Sequence, residues 1–226
     1  MTTPPHFNPT RWTLVLRARG EDLEAKAALS DLCAIYYAPV VSFLRRDGRG
    51  EDEARDSAHG FFESVLAGGL GAPEPRRGRF RSYLLGALKH HLANQRAAAV
   101  AGKRGGWAEH VELGDGSAVS ADDTLAFDRE WALAVIARAL ATLETEQAEK
   151  PERFLALKPW LGAGDTGSQA DAARDLGMSE TAVKVAIHRL RARFREIIRA
   201  EIAATVDDPA DAADELRHLI VVASAG

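Results

Sequence analysis

The stretch Ser168–Arg199, SQADAARDLGMSETAVKVAIHRLRARFREIIR, decides the fold of the second half of the chain. Apolar residues recur within it in steps of four and three, which predicts one buried stripe of an α-helix. The stripe consists of Val183, Ile187, Leu190, Phe194 and Ile197. Gly177 is typical of a helix end because glycine accepts the left-handed conformation, and Ser179 stands where the N-cap of the next helix belongs. Together these signals predict a helix-turn-helix unit.

Basic side chains follow a neighbouring stripe of the same predicted helix, namely Lys184, His188, Arg191, Arg195 and Arg199. From Ser179 to Arg199 there are six lysines or arginines against two glutamates, so the helix is cationic. Ser179, Glu180 and Thr181 cluster at its N-terminal end, where a recognition helix meets base edges. A helical hairpin with a solvated basic face is the alternative. The stripe continues past the turn, which favours a contact with nucleic acid.

Length and composition set the broad class of the protein. The chain has 226 residues, of which 46% are hydrophobic, so we expect one large or two small domains with real cores. Its net charge of −4 hides an uneven distribution and does not argue against a nucleic-acid partner. Cys33 is the sole cysteine, which excludes an internal disulfide framework and predicts a buried thiol. We see no signal peptide and expect no bilayer-spanning segment, and therefore predict a cytoplasmic chain without a membrane partner.

A helical pattern runs from Thr10 to about Arg46, with Pro39 inside it as an expected kink or restart. A second helix is predicted to open at Glu51 and Asp52, because acidic residues in a first turn favour the helix dipole. Its inner face is predicted to carry Ala54, Ala58, Phe61, Phe62, Val65 and Leu66.

A second basic stretch, from Arg76 to Arg104, contains eight lysines or arginines and no acidic residue. Its apolar residues predict a helix that covers the preceding ones, and its polar residues suit a phosphate-facing surface with an aromatic side chain or two for bases. A helix lying on a membrane is the weaker alternative, since the apolar face is needed for packing. His90 and His91 are adjacent and point about 100° apart on a helix, so they do not chelate one metal together.

These elements predict an all-α protein with two small helical domains joined by a flexible linker. The predicted domains are 1–104 and 125–200, the linker is 105–124, and an acidic extension occupies 201–226. The end of that extension is expected either as a disordered tip or as a short helix folded back on the second domain. The GAGDTG loop lacks the lysine of a phosphate loop. The sequence also shows no Ser/His/Asp spacing typical of nucleophilic catalysis and no cluster of metal ligands, so we predict no enzyme activity, no cofactor and no metal.

The order of these motifs resembles that of alternative sigma factors of bacterial RNA polymerase, specifically the extracytoplasmic-function type of the sigma-70 superfamily. YYAPVVSFLRR resembles the start of the family's region 2, and EDEARDSAHGFFESVL its polymerase-binding helix. FRSYLLGALKHHLANQRAAAVAGKRGG resembles the promoter-melting helix, and DLGMSETAVKVAIHRLRARFRE the region 4 helix-turn-helix. The resemblance implies transcription initiation with two partners, promoter DNA and core polymerase, contacted at its clamp and flap. An anti-sigma factor is a candidate regulator.

The resemblance also implies roles for individual residues. The clamp-binding positions are Asp56, His59, Phe61 and Phe62. The promoter-melting positions are Arg79, Arg81, Tyr83, Lys89, Asn94, Gln95, Arg96, Lys103 and Arg104. The recognition-helix positions are Ser179, Glu180, Thr181, Lys184, His188 and Arg191.

Two classes of protein remain as alternatives. A stand-alone helix-turn-helix regulator would bind its site without polymerase, usually as a dimer with spaced half-sites. A helical scaffold or adaptor would carry basic faces that never touch nucleic acid, and its interactions would lack the steep salt dependence of a DNA binder.

Overall fold

The computed structural model describes residues 23–67, 80–103, 121–162, 167–206, 208 and 210–224. Every regular element within these ranges is a helix, which confirms the predicted all-α class. The predicted helical start around Thr10 and most of the predicted linker lie outside the described residues. The described residues divide into two compact units, one formed by the residues up to Ala134 together with those from Ala203 onward, and one formed by Val135–Ile202.

The first unit is built from α1 (Leu23–Arg46), α2 (Glu51–Leu66), α3 (Phe80–Lys103), the first half of α4 (Ala121–Glu146) and α8 (Asp211–Ser224). Helix α1 continues through Pro39, where the sequence allowed a kink or restart. Helix α2 opens at Glu51 with three acidic residues in its first turn, as predicted, and they favour its dipole.

Aromatic side chains dominate the core of the first unit. The rings of Tyr36 and Phe80 meet edge to face with centroids 5.0 Å apart, which joins α1 to the start of α3. Phe127 and Trp131, from the first half of α4, are fully buried in the same unit. Cys33 is buried as predicted, and burial raises the pKa of its thiol to about 12, which keeps it protonated at neutral pH.

The second unit contains the second half of α4, α5 (Pro151–Leu157), a 3₁₀ turn (Lys158–Leu161), α6 (Gln169–Asp175) and most of α7 (Glu180–Ala203). Pro151 occupies the first turn of α5, where its missing N–H costs nothing. The buried side chains of this unit include Val135, Ala139, Leu143, Phe154, Leu157, Trp160, Ala172, Ala173, Val183, Ile187 and Leu190.

The boundaries of the compact units differ from those of the predicted domains. Residues 121–124, expected at the end of the linker, form the first turn of α4. The acidic extension ends in a regular helix, α8, which is one of the two predicted outcomes. That helix belongs to the first unit, so the expectation that it folds back on the second domain was wrong.

One segment corrects the expectation that no stretch has the length to span a bilayer. By length and composition, Lys26–Arg46 of α1 is long and apolar enough to cross a membrane, with a mean hydropathy of 1.5. Its residues Leu32, Tyr36 and Leu44 are fully buried within the first unit. A core helix of a soluble protein passes the same length and composition test, and 44% of this segment is buried in the structure.

Candidate nucleic-acid interface

The turn between α6 and α7 has the geometry that the sequence predicts. Gly177 adopts a positive φ of 61°, and its N–H donates to the carbonyl of Arg174. The N–H of Met178 donates to the carbonyl of Ala173 over 2.8 Å, so the end of α6 is closed by the pair of bonds typical of a Schellman motif. The Oγ of Ser179 accepts from the N–H of Ala182 over 3.2 Å, which confirms Ser179 as a capping residue.

The predicted recognition residues of the second unit all lie at its surface. They are Ser179, Glu180, Thr181, Lys184, His188 and Arg191. At 100° per residue, Lys184, His188, Arg195 and Arg199 fall within an arc of about 60° on α7. We call these four residues the α7 basic stripe. The buried residues of α7 nearest the turn, Val183, Ala186 and Ile187, lie on another side of the helix.

The charges of the α7 basic stripe are not neutralised within the described part of the chain. Lys184, His188 and Arg199 make no ion pair there with a carboxylate. Arg193, outside the stripe, behaves differently: two of its nitrogens donate to Glu146 over 2.8 and 2.6 Å, and a third donates to Glu196. The hydrogen bond from Arg193 lowers the pKa of Glu146, which keeps that pair ionised. The α7 basic stripe therefore keeps its positive charge available, and Arg189 adds a further cation, unpaired among the described residues, on another face of α7.

Arg191 has a structural role as well as a surface position. Its Nε donates to the backbone carbonyl of Trp160 over 2.6 Å, which ties α7 to the 3₁₀ turn. The carbonyl of Arg191 in turn accepts from Nε of Arg195 over 3.1 Å. Part of the Arg191 guanidinium is therefore already engaged in holding the second unit together.

Arg81 was predicted to contact DNA from the promoter-melting helix, and the structure corrects this. Its side chain is buried, with Nη1 3.0 Å from Asp128 and Nε 3.3 Å from Glu215. The guanidinium also lies 4.7 Å from the ring centroid of Trp131. A charge that is buried and shared by two carboxylates does not reach a phosphate, so Arg81 is a core residue in this structure.

Three other predicted residues on α3 already have partners. Arg96 pairs with Asp47 at 2.5 Å, and Gln95 accepts from Arg49 over 3.1 Å while its amide nitrogen contacts His91. Asn94 hydrogen-bonds His90. These contacts fix the outer face of α3 and reduce its net charge.

The remaining predicted residues of this helix fall into two groups. Lys89 and Tyr83 are half-buried, and burial lowers the pKa of Lys89 and raises that of Tyr83. Lys103 lies in the last turn of α3. Arg79 and Arg104 lie outside the described residues.

The predicted polymerase-binding residues of α2 separate by helix face. Asp56 and His59 are exposed, and His59 shares a 2.9 Å hydrogen bond with the hydroxyl of Tyr37. Phe61 and Phe62 are buried, so the prediction that they contact polymerase was wrong, and they are core residues of the first unit. The exposed face is acidic because Asp52, Asp56 and Glu63 follow the same side of α2 as His59.

Sequence reasoning missed Arg49 as part of the surface that includes α3. Arg49 lies in the turn between α1 and α2, yet its side chain reaches Gln95. Together with Arg45 and Arg55 it also pairs with acidic residues at the start of α2. The turn DGRGE gave no periodic signal that could have placed Arg49 against α3.

A cleft of about 240 Å³ opens in the second unit, beside α7 but away from the basic stripe. Its apolar lining includes Phe154, Leu157 and Leu190. Three arginines also line it: Arg193 is paired with Glu146 and Glu196, whereas Arg153 and Arg189 pair with no carboxylate among the described residues. The cleft therefore combines an apolar floor with available positive charge.

Comparison with protein-family models, with curated proteins and with solved structures finds no match for this chain.

Proposed function

We propose that this protein is an alternative sigma factor, which binds core RNA polymerase and directs it to promoter DNA. The observation that carries the proposal is the α7 basic stripe, with Lys184, His188 and Arg199 unpaired among the described residues and next to a capped helix-turn-helix turn. In helix-turn-helix proteins the N-terminal end of the second helix meets base edges, and cations along the helix meet phosphates.

Under this proposal the second unit recognises the distal promoter element. Ser179, Glu180, Thr181 and Lys184 stand at the N-terminal end of α7, where base edges are read. His188, Arg195 and Arg199 continue along the same face and suit the phosphate backbone. Arg191 positions the helix through Trp160 and adds charge to that face.

The proposed contribution of α3 to promoter melting is more modest than the sequence indicates. Arg81 no longer belongs to the DNA-binding set, and the charge of Arg96 is offset by Asp47. Asn94 and Gln95 suit hydrogen bonds with exposed bases, but they would have to exchange their present partners His90, His91 and Arg49 for the DNA. Two weak DNA contacts suffice when both units are held on one polymerase, because the second contact then forms at high effective concentration.

Two surfaces suit the proposed contacts with polymerase. The acidic face of α2, with Asp52, Asp56 and Glu63 around His59, suits a basic partner surface and is our candidate for the clamp contact. The cleft with Phe154 and Arg189 is our candidate for the flap contact, since an apolar floor with a charged rim is the usual anatomy of a protein interface.

The test is in vitro transcription with purified bacterial core polymerase and genomic DNA fragments. We expect the full-length protein to produce discrete start sites that core polymerase alone does not use. A Lys184→Ala/Arg195→Ala variant should lose those starts, whereas Arg193→Ala should keep them because Arg193 is already paired with Glu146 and Glu196. A chain that neither joins core polymerase nor redirects initiation would refute the proposal.

DNA-binding measurements without core polymerase, made at several salt concentrations, separate the alternative classes. A stand-alone regulator would bind specific DNA tightly without core polymerase, and its binding would follow a dimer with spaced half-sites. A scaffold protein would show no DNA binding that weakens steeply as salt is raised.

A further inference from the structure

The C-terminal helix α8 enters the core of the first unit through a charged residue. Glu215 is 1% exposed, and its two carboxylate oxygens lie 3.3 and 3.4 Å from nitrogens of Arg81 on α3. Asp128, on the first half of α4, lies 3.0 Å from the same guanidinium. One buried arginine therefore connects three helices that are far apart in sequence.

Two further contacts extend this connection. The backbone N–H of Phe80, the first residue of α3, donates over 3.2 Å to the carbonyl of Thr205, just after α7. His218 on α8 lies 2.7 Å from the second oxygen of Asp128. The C-terminal segment therefore contacts the start of α3 twice. It accepts a hydrogen bond from the backbone of Phe80, and it supplies a carboxylate partner to the side chain of Arg81.

A buried ion cluster of this kind depends on every member being present. If one carboxylate leaves, the remaining charges stay desolvated without compensation, which is strongly unfavourable. Release of a helix that carries one member of the cluster would therefore also weaken the attachment of the other helices. Thr205, Val206, Leu219 and Val222 are buried with Glu215, so docking of α8 also buries apolar surface.

We propose that Thr205, Val206 and α8 form a strap that fixes α3 in the first unit, and that release of this strap is a conformational switch for α3. Docking of α8 holds Arg81 inside, whereas release frees the start of α3 and exposes its cation. The consequence for promoter opening rests on the proposed function, because it requires α3 to face DNA. The strap itself is a property of the free protein and does not depend on that role.

Amide hydrogen exchange of the full-length protein, followed by mass spectrometry, tests the strap directly. In Glu215→Gln we expect exchange in the first turns of α3 and throughout α8 to become at least about tenfold faster together, because the two open in one step. Asp214→Asn is the matched control. Asp214 is exposed on the same helix and, within the described part of the chain, pairs with Arg217, so exchange in this variant should match that of the unmodified protein. Faster exchange in α8 with unchanged exchange in α3 would overturn the proposal.

A second protein covers the case in which Glu215→Gln does not fold. A specific protease sequence is inserted between Val206 and Asp211 and cut after the folded full-length chain has been purified. Dilution and size-exclusion chromatography then remove the α8 fragment. We expect exchange at the start of α3 to accelerate only after the fragment has left, and an unchanged rate would overturn the strap.

The proposed function fails in a different measurement. If the intact protein never redirects transcription by core polymerase, the sigma-factor proposal is lost, but coupled exchange of α3 and α8 still supports the strap. If initiation is redirected but the amide exchange rate of α3 does not change when α8 is released, the strap proposal is refuted and the proposed function stands.

Discussion

The Nε of Arg81 lies 3.3 Å from a carboxylate oxygen of Glu215, although the two residues are 134 positions apart. Asp128 approaches the same guanidinium from α4, and the ring of Trp131 lies against it. The acidic C-terminal extension, which in sequence resembles a solvated tail, thus supplies a buried part of the first unit.

Replacing Arg81 by alanine should destabilise the first unit by about 3–5 kcal/mol, because Asp128 and Glu215 would remain buried without their cation. Urea unfolding followed by circular dichroism measures this loss. The matched control is Arg96→Ala on the same helix, where an exposed pair with Asp47 is removed. That control should cost no more than about 1 kcal/mol.

Equal losses in these two variants would contradict the buried cluster. The paired replacement Arg81→Met/Glu215→Leu adds a second check. It removes both charges at once, and we expect it to destabilise the protein less than the sum of the two single replacements.

Gly177→Ala should destabilise the second unit by about 1–2 kcal/mol, because Gly177 has a φ of 61° and an L side chain is strained there. Gly60→Ala is the control. Gly60 lies inside α2, and a Cβ added to it meets nothing within 4 Å, so alanine there should stabilise the protein by about 0.5–1 kcal/mol. Thermal unfolding of both variants measures the two opposite shifts. A neutral Gly177→Ala would show that the turn does not need the left-handed conformation.

Local signals were sufficient to predict the helix-turn-helix. Gly177 and Ser179 were predicted as the end of one helix and the cap of the next, and both are confirmed by hydrogen bonds within five residues. The apolar rhythm from Val183 to Leu190 likewise identified the buried side of α7. Such features depend on neighbours along the chain, so the sequence contains the necessary information.

Contacts between distant segments could not be predicted. Arg81 lies in a run of basic residues, and its burial follows from Glu215, which no periodicity connects with it. Phe61 and Phe62 were predicted both as inner-face residues of α2 and as polymerase contacts. Their burial confirms the inner-face prediction and contradicts the polymerase contact. The position of α8 in the first unit also depends on packing that only the three-dimensional structure contains.

His91 should contribute a loss of stability as the pH falls from about 7.5 to 5.5. Burial first, then the nearby charges of Arg49 and His90, lower the pKa of His91. The unfolded chain, with an ordinary histidine pKa near 6.5, therefore binds the proton more readily, and protonation favours unfolding as the pH falls. Melting temperatures of the original protein and of His91→Gln, measured at both pH values, should show a smaller decrease in the variant. An identical decrease in the two proteins would show that groups other than His91 cause the pH dependence. His188→Gln, at an exposed position, serves as the control.

Arg191→Ala should weaken the second unit even without DNA. It removes the 2.6 Å hydrogen bond to the carbonyl of Trp160, and a bond from a charged donor is worth about 1.5–3 kcal/mol. Thermal unfolding should show the loss. Arg195→Ala is the comparison. Among the described residues the Arg195 side chain bonds within α7, to the carbonyl of Arg191, so its removal should change stability little. Equal melting temperatures in the two variants would contradict the positioning role of Arg191.

The α7 basic stripe predicts a salt-dependent contribution to DNA binding from individual residues. Arg199→Ala should weaken binding of the protein–polymerase complex to all sequences and should reduce the slope of log affinity against log salt by about 1, because one phosphate contact is lost. Lys184→Ala lies nearer the end that reads bases, so it should cost about 1–3 kcal/mol on the preferred promoter and relax its sequence preference. Fluorescence anisotropy with labelled promoter fragments at several salt concentrations measures both effects. Arg193→Ala should change neither quantity, since Glu146 and Glu196 already neutralise that side chain. If Arg193→Ala weakened binding as much as Arg199→Ala, the DNA would lie against a different face of α7.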